Sequence, residues 1–271
     1  MGSIDGIRFT RKMMLAQYLY KYGRIHRQCK ERSEKLFAMP HIWFSSPAEL
    51  NDPFECRPWI NGEGTRDQVV DFLVRMFKKN FPHWSEQAVI AEAATAYLEG
   101  RQLQPEVWEG FRQELVATLD QSIGIYCLSA VCDELLMWSH YADEHRGYCL
   151  MFEGADATPF FGNAQQVVYS SELPAINVFS DAQYEQATKA LLTKYCGWSY
   201  EKEWRIVDHD QGSGARSYPS ELLVGVIFGA RMPACDRSMI RGWLRGRPTP
   251  VKFYEAVQSE RHYRVEIRPA N

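Results

Sequence analysis

The sequence has no C-x-x-C pair, no Cys/His quartet at zinc spacing and no run of eighteen apolar residues. Its seven cysteines (29, 56, 127, 132, 149, 196 and 235) are odd in number and scattered. That argues against a disulfide framework or a structural zinc and for a reducing cytoplasm, where thiols stay free. Without a long apolar run no membrane span is expected. The N-terminus lacks an apolar signal core, and Met1-Gly2-Ser3 does not continue as a myristoylation signal because residue 6 is Gly rather than Ser or Thr. A basic surplus is missing too: 31 Lys and Arg stand against 34 Asp and Glu, a net charge of −3. Wholesale nucleic-acid binding is therefore not expected. The local basic clusters at 26–32 and 241–247 contain or border apolar residues and read as solvated faces, the second also suiting a phosphate. There is no Walker loop, no G-x-G-x-x-G after a strand, no G-x-S-x-G and no H-E-x-x-H. The commonest NTPases, dehydrogenases, hydrolases and zinc peptidases are thereby removed.

What the chain does have is aromatic residues, 13% of the total, including eight Trp and fourteen Tyr. Their N–H and O–H groups need partners once buried, which favours a packed, enzyme-like body. At 271 residues the chain is long enough to bury a full core without staples, and no flexible linker divides it, so a single domain over 1–271 is expected.

The element pattern is α+β. Short strand-like runs lie at 19–22 and 41–46, the second stopped by Pro47, and Leu50-Asn51-Asp52-Pro53-Phe54-Glu55 reads as a turn. Helical periodicity follows: Val69, Phe72, Leu73 and Met76 share one face, as do Trp108, Phe111, Leu115 and Leu119. These helices form an insertion at about 62–121. Strands are expected at 123–128, 147–152, 166–169, 204–207, 222–228, 251–256 and 263–267, the run 222–228 being apolar enough for a buried central strand. Helices are expected at 133–145, 182–195 and 233–244. Strands mixed with helices in no regular alternation predict mixed, largely antiparallel sheet rather than a parallel α/β fold.

Three stretches can carry chemistry. In Glu201-Lys202-Glu203, a strand would set both carboxylates side by side on one face. The bland reading is a solvated face near Lys202 and Arg205. The aromatic flanks Trp198, Tyr200 and Trp204 imply partial burial instead, and buried carboxylates are costly unless paired or used. In the helix 133–145, with Asp133 as N-cap and Gly147 as stop, Leu135, Trp138, Tyr141, Ala142 and His145 fall on one face, and His140 on the opposite one. His145 would sit in the last turn, where the helix dipole favours its protonated form. It reads as a satisfied histidine or as a pocket residue. Lys21, Tyr22 and Arg24 end the first strand, and Ser45-Ser46 ends the second, where a hydroxyl pair is ordinarily a turn cap.

Taken in order, Leu19-Tyr20-Lys21-Tyr22, the stretch 45–55, Trp138 to Gly147 and Tyr200-Glu201-Lys202-Glu203-Trp204-Arg205 resemble the motifs of a bacterial family, domain-of-unknown-function family 2971. The order and type of elements also resemble, more remotely, the ADP-ribosyltransferase fold. That resemblance implies an ADP-ribosyltransferase-like core with NAD as substrate and no metal. It further implies transfer of ADP-ribose to a protein or nucleic-acid acceptor, as in a toxin or anti-phage factor. Under it Glu203 braces the ribose, Glu201 orients the acceptor and Ser45 supports Glu203. Lys21, Tyr22, Arg24 and Ser46 hold the dinucleotide, and Trp138, Tyr141 and His145 line the pocket. The chain departs from that fold's pattern at the first strand, where Tyr20-Lys21-Tyr22 replaces a histidine or arginine. Two other classes stay open: a non-catalytic ligand-sensing or interaction module of a defence system, and a metal-dependent nuclease using Asp52, Glu55 and the carboxylate pair.

Overall fold

A computed structural model describes residues 17–26, 30–101, 104–154, 158–179 and 183–270. The rejected myristoylation start and part of the basic cluster 26–32 lie outside them. The main sheet has eight strands among the described residues. β1 (Tyr18–Gly23) lies between β4 (Gly124–Ser129) and β5 (Tyr148–Glu153), antiparallel to both. Beyond β4 come β10 (Glu203–Asp208) and the two-residue β6 (Gln165–Gln166), each antiparallel to its neighbour. Beyond β5 come β12 (Leu223–Phe228), then β13 (Lys252–Gln258) in parallel, then β14 (Val265–Pro269). The fold is thus α+β on a mixed, largely antiparallel sheet, as the element pattern predicts. The apolar run 222–228 is an interior strand; only Leu222 falls outside it, in a short 3₁₀ turn.

Three small pairs flank this sheet. β2 (His41–Phe44) pairs with β11 (Gly214–Ser217), β3 (Trp59–Asn61) with β8 (Ala175–Asn177), and β7 (Val168–Ser170) with β9 (Thr193–Tyr195). Just after β2, Ser45 exchanges both backbone hydrogen bonds with Ile125 of β4, which fixes the second strand against the sheet.

Between β3 and β4 run α2 (Arg66–Asn80), α3 (Glu86–Leu98) and α4 (Pro105–Ser122), the expected helical insertion. Thr65 and Ser85 cap α2 and α3 by accepting from Gln68 and Ala88 N–H, and Pro105 opens α4 at a position that lacks a partner for its N–H anyway. Val69, Phe72 and Leu73 are buried, as their spacing predicts. Further helices are α1 (Lys30–Ala38), α5 (Leu135–Tyr141), α6 (Gln183–Leu192) and α7 (Ala234–Leu244). The main core gathers Leu19, Phe44, Leu150, Phe152, Val226 and Phe228, and each such side chain contributes about 1.5–3 kcal/mol by leaving water.

Two expected helices are shorter than their periodicity suggests. The first, α5, is capped by Glu134 rather than Asp133 and ends at Tyr141, not near Gly147. Asp143, Glu144 and His145 then run in the left-handed region (φ 49°, 51° and 67°), closed by Gly147 N–H donating to Ala142 O at 2.7 Å. A Cβ at 147 would collide with the Gly23 carbonyl oxygen, so the chain needs glycine there. The second, α6, stops at Leu192, and Thr193-Lys194-Tyr195 extends as β9. No described helix is long and apolar enough to cross a membrane.

Candidate functional site

The site is built around a buried ion cluster. Glu203 opens β10, and the strand's i, i+2 pair is Glu203 with Arg205, both turned to the same face. Arg205 Nε donates to Glu203 Oε1 at 2.7 Å, and its Nη2 reaches Glu203 Oε2 at 3.2 Å and pairs with Glu55. From β9, Lys194 Nζ lies 2.6 Å from Glu201 Oε2, 2.9 Å from Glu203 Oε2 and 3.2 Å from Glu55 Oε1. The remaining Glu201 oxygen accepts from the Tyr141 hydroxyl at 2.7 Å. Arg205 is fully buried, and Glu55, Lys194, Glu201 and Glu203 are between 3% and 6% exposed.

Glu201 and Glu203 therefore do not stand side by side on one strand. Glu201 ends a 3₁₀ segment, Cys196–Glu201, and Lys202 follows in the left-handed region at φ 46°. The kink turns the two carboxylates onto a shared lysine. Burial pushes both carboxyls up, but with different outcomes. Arg205 and Lys194 outweigh it at Glu203 and hold that carboxyl well below its usual range. At Glu201 burial outweighs Lys194 and the carboxyl stays raised. Burial pushes Lys194 toward its neutral form, but Glu203, Glu55 and Glu201 together hold it charged.

Beside the cluster lies an inner cavity of about 220 Å³ that brings together Lys21, Tyr22, Ser45, Tyr141, Glu201 and Glu203. Lys21, Tyr22, Trp43, Asn51 and Tyr141 also line a larger cleft of about 1280 Å³, so the two adjoin. Lys21 Nζ donates to Cys127 O at 2.9 Å and sits 4.9 Å from the centre of the Tyr126 ring. Arg24 lines only the outer cleft, together with Lys35.

The other expected site residues are placed differently. Ser45 reaches the cavity, but the Glu203 carboxylate is held by Lys194 and Arg205. Ser46 is a turn residue: its backbone N–H donates to Glu49 Oε2 at 2.9 Å at the start of a 3₁₀ turn. Trp138 is fully buried, donates to Cys132 O at 2.8 Å and packs edge-on against Tyr22. It belongs to the core rather than to a ligand surface. His145 lines neither cavity. It contacts Ser139 Oγ at 3.2 Å and stacks on Trp138. Because α5 ends before it, no helix dipole favours its charge; burial and Arg231 lower its pKa instead. Asp52 accepts from Trp198 Nε1 at 2.8 Å, and no group of three His, Cys, Asp or Glu among the described residues is arranged to hold a metal ion.

Two members of the cluster are missed by sequence reasoning. Lys194 is hidden in the helical run 182–195, although the β-branched Thr193 and aromatic Tyr195 beside it are a strand signal. Glu55 reads as part of a turn and, in the nuclease alternative, as a metal-site residue, not as an ion-pair partner of Lys194 and Arg205. Yet the turn 50–55 is tied to the 3₁₀ segment and β10 twice, through Asp52–Trp198 and through Glu55. The four motif segments named above thus meet at one place. No curated protein and no solved structure matches the chain. A family model does: Protein of unknown function (DUF2971), matched over residues 137–206. The matched residues hold Tyr141, Lys194, Glu201, Glu203 and Arg205, so the similarity to that family covers most of the ion cluster.

Proposed function

We propose that the chain is an NAD-dependent ADP-ribosyltransferase-like enzyme whose reacting centre is the inner cavity. The observation that carries the reading is the convergence of Lys21 and Tyr22 from β1, Ser45 from the end of β2, and Glu201 and Glu203 at β10 on one small cavity. That cavity adjoins a cleft of about 1280 Å³, roomy enough for a dinucleotide. The basic residues Arg24 and Lys35 along the cleft suit a pyrophosphate. An ADP-ribosyltransferase-like core is part of the proposal, supported by the same order of contributing strands.

The two carboxylates divide the work by their charge state. Glu203, whose oxygens are already engaged by Lys194 and Arg205, is a fixed part of the cluster rather than a direct ribose ligand. Glu201 is the reactive group. As the bond between ribose C1′ and the nicotinamide nitrogen breaks, its electron pair leaves with nicotinamide and positive charge develops at C1′. Ionised Glu201 stabilises that charge and takes the proton released when the acceptor attacks C1′. Lys21 and Tyr22 bound the ring end, and Tyr141 orients Glu201 through its hydroxyl. Transfer of labelled ADP-ribose from NAD to an acceptor mixture tests the reading. Label incorporation that Glu201→Gln abolishes is expected, and none with the folded wild-type protein counts against it.

One observation favours a second reading, a non-catalytic ligand-sensing module. Every oxygen of Glu55 and Glu203 is already occupied by Lys194 or Arg205, as in a purely structural ion cluster. Ligand binding without NAD turnover is the result that supports it.

A further inference from the structure

The ion cluster is unbalanced. Three carboxylates, Glu55, Glu201 and Glu203, share two cations, Lys194 and Arg205. Fully ionised, the cluster would bury an uncompensated negative charge, which is costly. Glu55 and Glu203 each meet both cations, whereas Glu201 meets Lys194 and gives its other oxygen to the neutral Tyr141 hydroxyl, so it is the least compensated of the three. The groups around it are Lys194 from β9, Glu203 and Arg205 from β10, Glu55 from the turn after β2, Tyr169 from β7, Tyr141 from α5, and Tyr200 from its own segment with Glu134 beyond. The other charged residues lining the cavity, Lys21 and Glu49, are of opposite sign. Four aromatic residues also line the cavity: Tyr20, Tyr22, Trp43 and Tyr141. Aromatic faces attract cations, and more so where water is excluded.

We infer that the inner cavity selects a cationic aromatic ring over its neutral counterpart, and that Glu201 releases its proton as the cation arrives. The inference rests on the dinucleotide reading for its ligand class, because a pyridinium ring is the cationic end of such a substrate. The ring supplies the positive charge the cluster lacks, and a cavity of about 220 Å³ has room for one ring. The proton goes from the Glu201 carboxyl to solvent, leaving a carboxylate paired with Lys194, Tyr141 and the ligand.

Calorimetry with two matched probes tests this: 1-methylnicotinamide, a permanent cation, and nicotinamide, its neutral relative, each titrated into the full chain from about pH 5 to about pH 8. The cation is expected to bind about tenfold tighter or better. Its affinity should rise with pH and then level, and its binding heat should depend on buffer ionisation as protons are released. Glu201→Gln should lose both the preference and the pH dependence. The wild-type pH series stands even if that variant misfolds. Equal affinity for the two rings, or a flat pH profile, overturns the inference. NAD is the third titrant. If NAD binds while the two rings are not distinguished, ring selection falls and the dinucleotide reading stands. If the cation binds as described and NAD does not, the dinucleotide reading falls alone.

Discussion

Lys194 Nζ stands 2.9 Å from Glu203 Oε2 in a place that bulk water hardly reaches. The same ammonium also serves Glu201 and Glu55, so β9, β10 and the turn after β2 are joined through one atom. Removing it leaves three carboxylates with only Arg205. Lys194→Met should therefore cost about 3–5 kcal/mol of stability, the usual result of breaking a buried pair from one side. Urea denaturation measures it, and a loss under about 1 kcal/mol would show that the cluster is not needed for folding.

The two glutamates should respond differently to neutralisation. Glu203→Gln breaks a buried pair with Arg205 and should cost about 3–5 kcal/mol. Glu201→Gln removes the charge the cluster holds least well, and at neutral pH should change stability by less than about 1 kcal/mol. Paired denaturation curves decide it. Equal losses for both variants contradict the asymmetry.

The pH dependence follows from the same shifts. The Glu203 carboxyl is held below its unfolded value of about 4.3, so its contribution is present above that pH and is lost as pH falls through the folded-state value. Glu201 is raised, so the sign reverses: its contribution is full below about pH 4.3 and is lost as pH rises through the folded-state value. The stability of Glu201→Gln relative to wild type should therefore climb as pH increases over that window. A relative stability that is flat or falling there removes the raised Glu201.

His145 gives an independent check. Burial and Arg231 keep its imidazole neutral, so its NMR titration should fall below the ordinary histidine value of about 6.5. Its contribution to stability is present above that value and lost as pH falls through the folded one. Titration above about 6.5 would instead match a histidine held by a helix C-terminus.

Lys202 tests the kink that sets the carboxylates on one lysine. At φ 46° glycine is at ease and a β-branched residue is not. Lys202→Gly should be neutral or stabilise by up to about 1 kcal/mol, and Lys202→Val should cost about 1–2 kcal/mol. The opposite order would mean that Glu201 and Glu203 do continue a strand.

Much of the sheet was legible in the sequence because strands such as 123–128 and 222–228 carry apolar runs that local pattern alone can identify. The charged cluster was only half legible. The aromatic flanks of Glu201 and Glu203 pointed to burial, which the structure bears out, but pattern cannot reveal a left-handed residue such as Lys202 within a strand-like run. Lys194 was lost because three residues of strand at the end of a helical run are too short to show a period. His145 was misplaced for a related reason: the helical spacing of Trp138, Tyr141 and Ala142 continues through 145 in sequence, while the backbone leaves the helix at Ala142. Glu55 joins Arg205 across 150 residues of sequence, a partnership no local signal carries.

The central claim is that the cavity beside Tyr141 and Glu201 breaks the nicotinamide–ribose bond. Release of free nicotinamide from NAD by the purified chain, compared between wild type and Glu201→Gln with folding checked in parallel, tests it most directly. The account predicts turnover by wild type and a loss of about 10²-fold or more in the folded variant. No nicotinamide from a folded wild-type protein that binds NAD, or undiminished release by Glu201→Gln, would contradict it.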